Sequence, residues 1–348
     1  MDRRAFLGAL VVGGAGAVSS VGFLLTENVI GPARLTARAI IDRFQNVNGV
    51  FSGFRRNHAK GVAVAGYFES NGNGADLCSA SVFRAGRYEL IGRFSLSGGN
   101  PHVADAADIV RGLGLRILLP EGEQWRLALI NLPVFLDPTP QDFYDRMLAF
   151  AADPATGKPD PRAEAAYLST HPRTVAAMAV AKSEPVAPTF ATTTFNGLNA
   201  FASSNADGVT VPVRWKLVPE SNGTEPAPGR GGDYLFDRLA ADIEQRPRRW
   251  TMLIVVGVPG KDRTDDATVP WPADRRTVAV GSVVLTEVAT ETAGNVRNIN
   301  FDPLVLPDGL APSDDPLLSA RSAAYAESYR RRSGEGDGSG AVRLEGRA

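Results

Sequence analysis

An α+β fold, an antiparallel sheet or barrel with helices grouped after it, follows from two features of this 348-residue sequence. Short apolar runs rich in Val, Ile and aromatics are broken by Gly and Asn-Gly turns, as in strands of an antiparallel sheet. Helix-like segments then come in groups rather than alternating one for one with strands, which argues against a parallel α/β fold. The strand candidates in order are 61–68 (GVAVAGYF), 88–94, 115–119, 125–135, 209–217 (VTVPVRWKL) and 275–288, the last ending in the alternating VAVGSVVLTEV. The helix candidates are 141–152, 163–168, 173–180, 234–244 and 316–332. Residues 333–348 (SGEGDGSGAVRLEGRA) are rich in Gly and poor in apolar side chains, the composition of a disordered tail.

The 37 Lys and Arg balance 38 Asp and Glu, so the chain lacks the clustered basic excess that phosphate binding needs, and nucleic acid is not expected as a partner. A single cysteine, Cys78, rules out an internal disulfide and any Cys-rich zinc or iron–sulfur site. It is read as core packing rather than as a thiolate ligand to haem. Only His58, His102 and His171 are present, too few for a His-rich metal cage.

Residues 1–25 hold two adjacent arginines followed by an uncharged apolar stretch, the layout of an export signal. The RRAFL run at 3–7 is similar to a twin-arginine signal, which implies the export machinery for folded proteins as a partner and a periplasmic or exported location. Ala15-Gly16-Ala17 offers a cleavage site, and an uncleaved membrane anchor is the competing reading. No H-E-x-x-H, G-x-S-x-G or calcium loop occurs, and GVPGK at 257–261 lacks the spacer of a phosphate-binding loop.

The C-terminal helix candidate carries the chemistry. Asp315 and Pro316 suit its cap and first turn, and Arg321, Tyr325 and Arg332 then share one face. The bland alternative is an amphipathic helix with solvated arginines. A tyrosine serves as an anionic iron ligand when ferric iron and a neighbouring guanidinium stabilise the phenolate. The required drop in pKa from about 10 to below 7 corresponds to roughly 4 kcal/mol. Arg332 is placed to pair with a haem propionate.

This stretch resembles the haem-binding segment of the catalase superfamily, in which R-x-F-x-Y carries the proximal tyrosinate; Arg321 and Tyr325 match and Ala323 replaces the phenylalanine. RRNHAKGVAVAGYFESNG, from Arg55, resembles the family's distal-histidine region and places the catalytic histidine at His58 and a propionate-binding arginine at Arg55. GRFSLSGGNPHVADAADIVRGLGLRI is similar to the R-F-S segment, giving Arg93 a second propionate position and Ser95 the support of the distal histidine. EQWRLALINLPVFLDPTPQDF is similar to the block that bears the catalytic asparagine, with Phe143 stacking on haem. Aligned without a gap, the asparagine position holds Ile130, and Asn131 one place later reaches the pocket only through a bulge or a helical twist. Asn57 stands where a small apolar residue is usual and is expected to make the distal pocket more polar. The similarity spans about 40–332 in family order.

The resemblance implies a catalase-type barrel with a helical subdomain in one domain over 35–332, haem b as cofactor, and most of all a small catalase-related peroxidase. His58 would take a peroxide proton and return it to the leaving oxygen. Hydrogen peroxide or an organic peroxide would be reduced by a small organic electron donor with at most weak catalase turnover, in a monomer or homodimer. A fatty-acid hydroperoxide-transforming haem enzyme and a non-catalytic periplasmic haem carrier remain the alternatives.

Overall fold

The structure, a computed structural model, describes residues 35–153, 155–221, 231–336 and 340–344. The export segment read at 1–25 lies outside the described residues. Helix α1 (Ala37–Asn48) comes first, capped by Thr36, whose hydroxyl accepts the Ala39 N–H. Strands β1 (Gly61–Ser70), β2 (Gly86–Leu96), β3 (Arg111–Leu118) and β4 (Gln124–Ile130) follow as an antiparallel meander. Helices α2 (Pro140–Ala149), α3 (Pro161–Thr170) and α4 (Pro172–Ser183) come next, each opening on a proline that fits the first turn. The short strands β5 (Phe195–Asn196) and β6 (Phe201–Ser204) precede β7 (Thr210–Pro219). After them run α5 (Tyr234–Gln245), β8 (Arg248–Val256), β9 (Thr277–Thr290), β10 (Leu310–Pro312) and α6 (Pro316–Ser333).

All pairings between these strands are antiparallel, and β7 pairs with β8 as well as with β5 and β6. That pairing closes eight strands, β1–β5 and β7–β9, into a barrel and leaves β6 and β10 as an extension beside β7. Closure removes the exposed sheet edges that a ten-stranded open sheet would leave. Period-two alternation then divides each strand. Phe94, Leu96, Leu113, Leu115, Leu127 and Leu129 enter the core, while Arg93, Ser95, Gly112, Gly114, Ala128 and Ile130 alternate with them. The Phe94 ring lies 5.0 Å from Phe190, 5.6 Å from Phe195 and 5.9 Å from Trp250, so an aromatic plug fills the barrel and leaves ligand binding to its outer face.

Two features hold α2, α3 and α6 in place. The fully buried Asp137 accepts from Arg146 Nε at 2.8 Å and from the Tyr167 hydroxyl at 3.3 Å, joining the segment before α2 to α2 and α3. Asp315 caps α6 by accepting the Leu317 N–H at 2.8 Å, and its other oxygen accepts from Asn199 Nδ2 at 2.7 Å.

The sequence reading needs correcting in three places. The run expected as a strand over 125–135 stops at Ile130. The tail is not uniformly loose: α6 reaches Ser333, and Val342 and Leu344 are buried in the main core, with the Leu344 N–H donating to Thr290 Oγ1 at 3.2 Å. Helix α1 and strand β8 were not foreseen, although Ile40, Ile41, Phe44 and Val47 have helical spacing. Among the described residues no helix is long and apolar enough to cross a membrane.

Candidate active site

A cavity of about 640 Å³ lies between the outer face of β2–β4, the segment ending at His58, helices α1 and α2, and α6. That volume falls in the range of small-molecule and cofactor sites, about 300–1,000 Å³. The small residues of β3 and β4 make room for it. Gly114 pairs with Ala128 and Gly112 with Ile130, so three of these four side chains are small or absent. A Cβ on Gly114 would lie 2.8 Å from the Phe301 ring, and one on Gly112 would lie 2.8 Å from both His58 Nδ1 and Ser95 Oγ. A Gly112→Ala variant is therefore expected to fold but to push the imidazole aside. The peroxide turnover that the family resemblance implies should fall by roughly 100-fold, as for an ångström-scale misplacement, and a variant with unimpaired turnover would contradict this placement.

His58 is held by three hydrogen bonds against a strained backbone. Its backbone adopts φ +55°, the left-handed region that costs a non-glycine residue about 1–2 kcal/mol. The Asn57 carboxamide oxygen accepts its N–H at 3.0 Å, and Arg93 Nη1 donates to its carbonyl at 2.7 Å. The imidazole Nδ1 lies 3.1 Å from Ser95 Oγ, whose hydroxyl donates onward to the Gly112 carbonyl at 3.5 Å. Ser95 therefore accepts from Nδ1–H, and Nε2 keeps its lone pair. Burial, followed by the charges of Arg93, Arg321 and Arg55, lowers the His58 pKa to about 3, so the ring is neutral at physiological pH. Asn57 does line the cavity, but its carboxamide oxygen is spent on the N–H groups of His58 and Gly98.

On the other wall, Leu317, Ala320, Arg321, Ala324, Tyr325, Ser328 and Arg332 repeat at helical spacing along the cavity face of α6. Tyr325 also packs on the small cluster of Ala63, Val296, Ile299 and Phe301, and no hydrogen bond to another described residue engages its hydroxyl. One turn earlier, Arg321 bonds to Asn199 Oδ1 and donates to the Ala128 carbonyl at 3.2 Å, which ties the helix to β4. Ala323 is exposed, so the missing phenylalanine leaves no hole in the cavity wall.

The same cavity gathers Arg55, Arg93 and Arg332. Burial lowers the Arg55 pKa to about 10 against the pull of Glu291, and burial with repulsion from Arg55 lowers Arg332 to about 8. Arg55 Nε is buried without a hydrogen-bond partner among the described residues. A concentration of desolvated guanidinium with an orphaned donor suits a carboxylate-bearing ligand. An unpartnered phenol on one wall, a neutral imidazole near another and a flat glycine face between them suit a planar iron macrocycle. The residues fit haem.

Of the sequence-derived site residues, His58, Arg55, Arg93, Ser95, Phe143, Arg321, Tyr325 and Arg332 all line this one cavity. Phe143 lies 5.8 Å from Phe44 and 5.9 Å from Phe135 in its apolar wall. Asn131 does not join them, and the catalytic place considered for it is corrected. Its Oδ1 accepts the Arg111 N–H at 2.8 Å, its own N–H donates to the Arg111 carbonyl at 3.1 Å, and Ile130 lines the cavity instead. No bulge intervenes, because β3 and β4 keep an unbroken register from Gln124 to Ile130. His102 and His171 lie outside the cavity lining, His102 edge-on to Phe51 and Phe54, and His171 stacked on Tyr167. Cys78 is buried in the core, where desolvation raises its thiol pKa. The sequence reading missed Gly112, Asn199 and Glu291; each acts through a neighbour's position, which no local spacing reveals.

A family model described as catalase matches residues 22–337. The catalase-related peroxidase of Synechococcus elongatus is 35% identical over 322 residues, covering 90% of this chain and 92% of its own. That of Mycolicibacterium paratuberculosis is 32% identical over 305 residues, covering 86% and 96%. Among solved structures, a fungal catalase superposes with a TM-score of 0.72 at 23% identity, and catalase A from Saccharomyces cerevisiae with 0.72 at 24%. The match covers 87% of this chain in both cases but 64% and 66% of the solved catalases, a likeness of fold to shorter parts of longer chains.

Proposed function

Since this chain belongs to the catalase family, we propose that it is a haem-dependent peroxidase, reducing hydrogen peroxide or organic peroxides at the expense of a small organic electron donor, with little catalase turnover. The observation that carries this reading is the placement of a neutral, unprotonated His58 Nε2 and an unengaged Tyr325 hydroxyl on one cavity. Haem b, when bound, supplies the iron that accepts the peroxide and the electrons that cleave its O–O bond. Tyr325 is the iron ligand in this scheme, with Arg321 one turn away to favour the phenolate. Arg55 and Arg332 would take the propionates, while Arg93, held on backbone carbonyls and Glu291, lends its charge from behind. Phe143, Phe135 and Leu136 keep water from the apolar wall.

His58 Nε2 takes the proton from the inner peroxide oxygen and returns it to the outer one, which leaves as water from hydrogen peroxide or as an alcohol from an organic peroxide. Two electrons and two protons overall reduce the peroxide, and the donor supplies the electrons. Ser95 holds Nδ1–H, so the ring transfers protons through Nε2 alone. Loading purified chain with haem and following donor oxidation tests the whole reading. A tyrosinate-type ferric spectrum and peroxide-dependent oxidation well above free haem are expected, and oxidation no faster than free haem would refute it.

The weak catalase turnover rests on Ile130. It is the cross-strand partner of Gly112, whose missing Cβ would touch His58, so Ile130 offers an apolar side chain where a carboxamide could steady a second peroxide. An Ile130→Asn variant is expected to raise oxygen evolution by about tenfold relative to donor oxidation, as one well-placed neutral hydrogen bond allows. An unchanged ratio would argue against this explanation. The twin-arginine-like run at 3–7 supports export of the folded, loaded protein to the periplasm.

A further inference from the structure

The imidazole of His58 is useful only while its left-handed backbone is held, and the group that holds its carbonyl is itself held by a residue outside the cavity wall. Arg93 spends its guanidinium in three directions: Nη1 on the His58 carbonyl at 2.7 Å, Nη2 on the Ala59 carbonyl at 2.9 Å and Nε on Glu291 Oε2 at 2.7 Å. Gly61 leaves the space for this fork, since a Cβ there would stand 2.6 Å from Arg93 Cζ. The second oxygen of Glu291 accepts from Arg55 Nη2 at 3.3 Å. Glu291, just beyond the end of β9, is only 9% exposed.

We propose that Glu291 is a positioning residue for His58: its carboxylate fixes the Arg93 fork, and the fork fixes the carbonyls on either side of the His58–Ala59 peptide. The inference rests on the proton-transfer role proposed for His58. The physical need is competition. Arg93 faces a cavity suited to carboxylates, and a carboxylate bound there attracts the same guanidinium that steadies the histidine. Glu291 anchors Nε from the opposite side and keeps Nη1 and Nη2 on the backbone. Burial alone pushes the Glu291 carboxyl up, but Arg93, Arg55 and Arg332 more than offset it and hold it below the usual carboxylate range, so the anchor stays ionised at neutral pH.

The test uses Glu291→Gln, which keeps the shape and removes the charge, and Arg93→Lys, which keeps a charge and removes the fork. Because the chain has three histidines, nitrogen-labelled histidine spectra of the haem-free protein resolve each ring. Wild type should give one His58 ring state protonated on Nδ1. Both variants should broaden or double that signal and leave His102 and His171 unmoved, and in the loaded enzymes peroxide cleavage should slow by about 100-fold with an unchanged KM for the donor. Should Glu291→Gln fail to fold, Arg93→Lys must show the His58 signature by itself. His58 signals identical to wild type in the folded variants overturn the proposal, as does a uniform shift of all three histidines. A wild type inert toward peroxide would instead refute the proposed function, while the spectra would still decide the positioning role.

Discussion

Replacing Tyr325 with phenylalanine is expected to leave a folded protein that no longer retains its iron macrocycle in the native state. The substitution removes one oxygen and no hydrogen bond to a described residue, and the ring still packs on Val296, Ile299 and Phe301. The haem-free protein should therefore melt within a few degrees of wild type. Loss of an outer partner of a metal ligand already lowers metal affinity about 10–100-fold, so loss of the ligand itself should cost at least that in haem retention. The charge-transfer bands of ferric tyrosinate should vanish with it. A Tyr325→Phe protein with wild-type spectrum and retention would show that another group holds the iron, and the account of α6 would fall.

The second large effect is expected from His58→Gln, which roughly preserves size and hydrogen bonding while removing the titratable base. Haem content should persist, and the rate of peroxide cleavage should drop by about 10²–10⁴-fold, the usual contribution of a positioned acid–base group. Unchanged cleavage would exclude His58 as the base. The same variant carries a stability signature. The folded His58 pKa of about 3 lies below the unfolded value of about 6.5. Between those values the unfolded chain binds the extra proton, so wild-type stability is fully present above pH 6.5 and drains as pH falls, by about 1.4 kcal/mol per unit for this one group. Urea unfolding at pH 7 and pH 5 should therefore show wild type losing about 2 kcal/mol more than His58→Gln. Equal losses would mean that the imidazole is not desolvated as described.

The chemistry-bearing residues were legible where local pattern fixes them. Arg321, Tyr325 and Arg332 share a face because a helix starting at Asp315 and Pro316 must place them so, and the structure puts all three on the cavity. Strand alternation likewise carried Arg93 and Ser95 out of the barrel together, on either side of the buried Phe94. Asn131 failed for the same physical reason: period-two alternation turns it away when Ile130 faces the cavity, and its side chain then caps the Arg111 backbone. Helix α1 has apolar residues at helical spacing but lies close to the export segment and was passed over, and β5 and β10 are too short for any periodicity to register. Glu291 meets Arg93 across 198 positions of sequence, a distance over which no motif extends. The loose reading of the tail rested on composition, whereas Val342 and Leu344 find a tertiary groove beside β9.

The two walls of the cavity come from opposite ends of the described residues, α1 and His58 on one side and α6 on the other. A polypeptide still emerging from the ribosome thus displays Ile40, Ile41, Phe44 and Phe143 as an oily trough until the last helix arrives. Contacts of such long range form late, and the trough is sticky in the meantime. Retention of the macrocycle should therefore wait for α6, which carries Tyr325, and heterologous production should reward slow synthesis at low temperature with a higher loaded fraction.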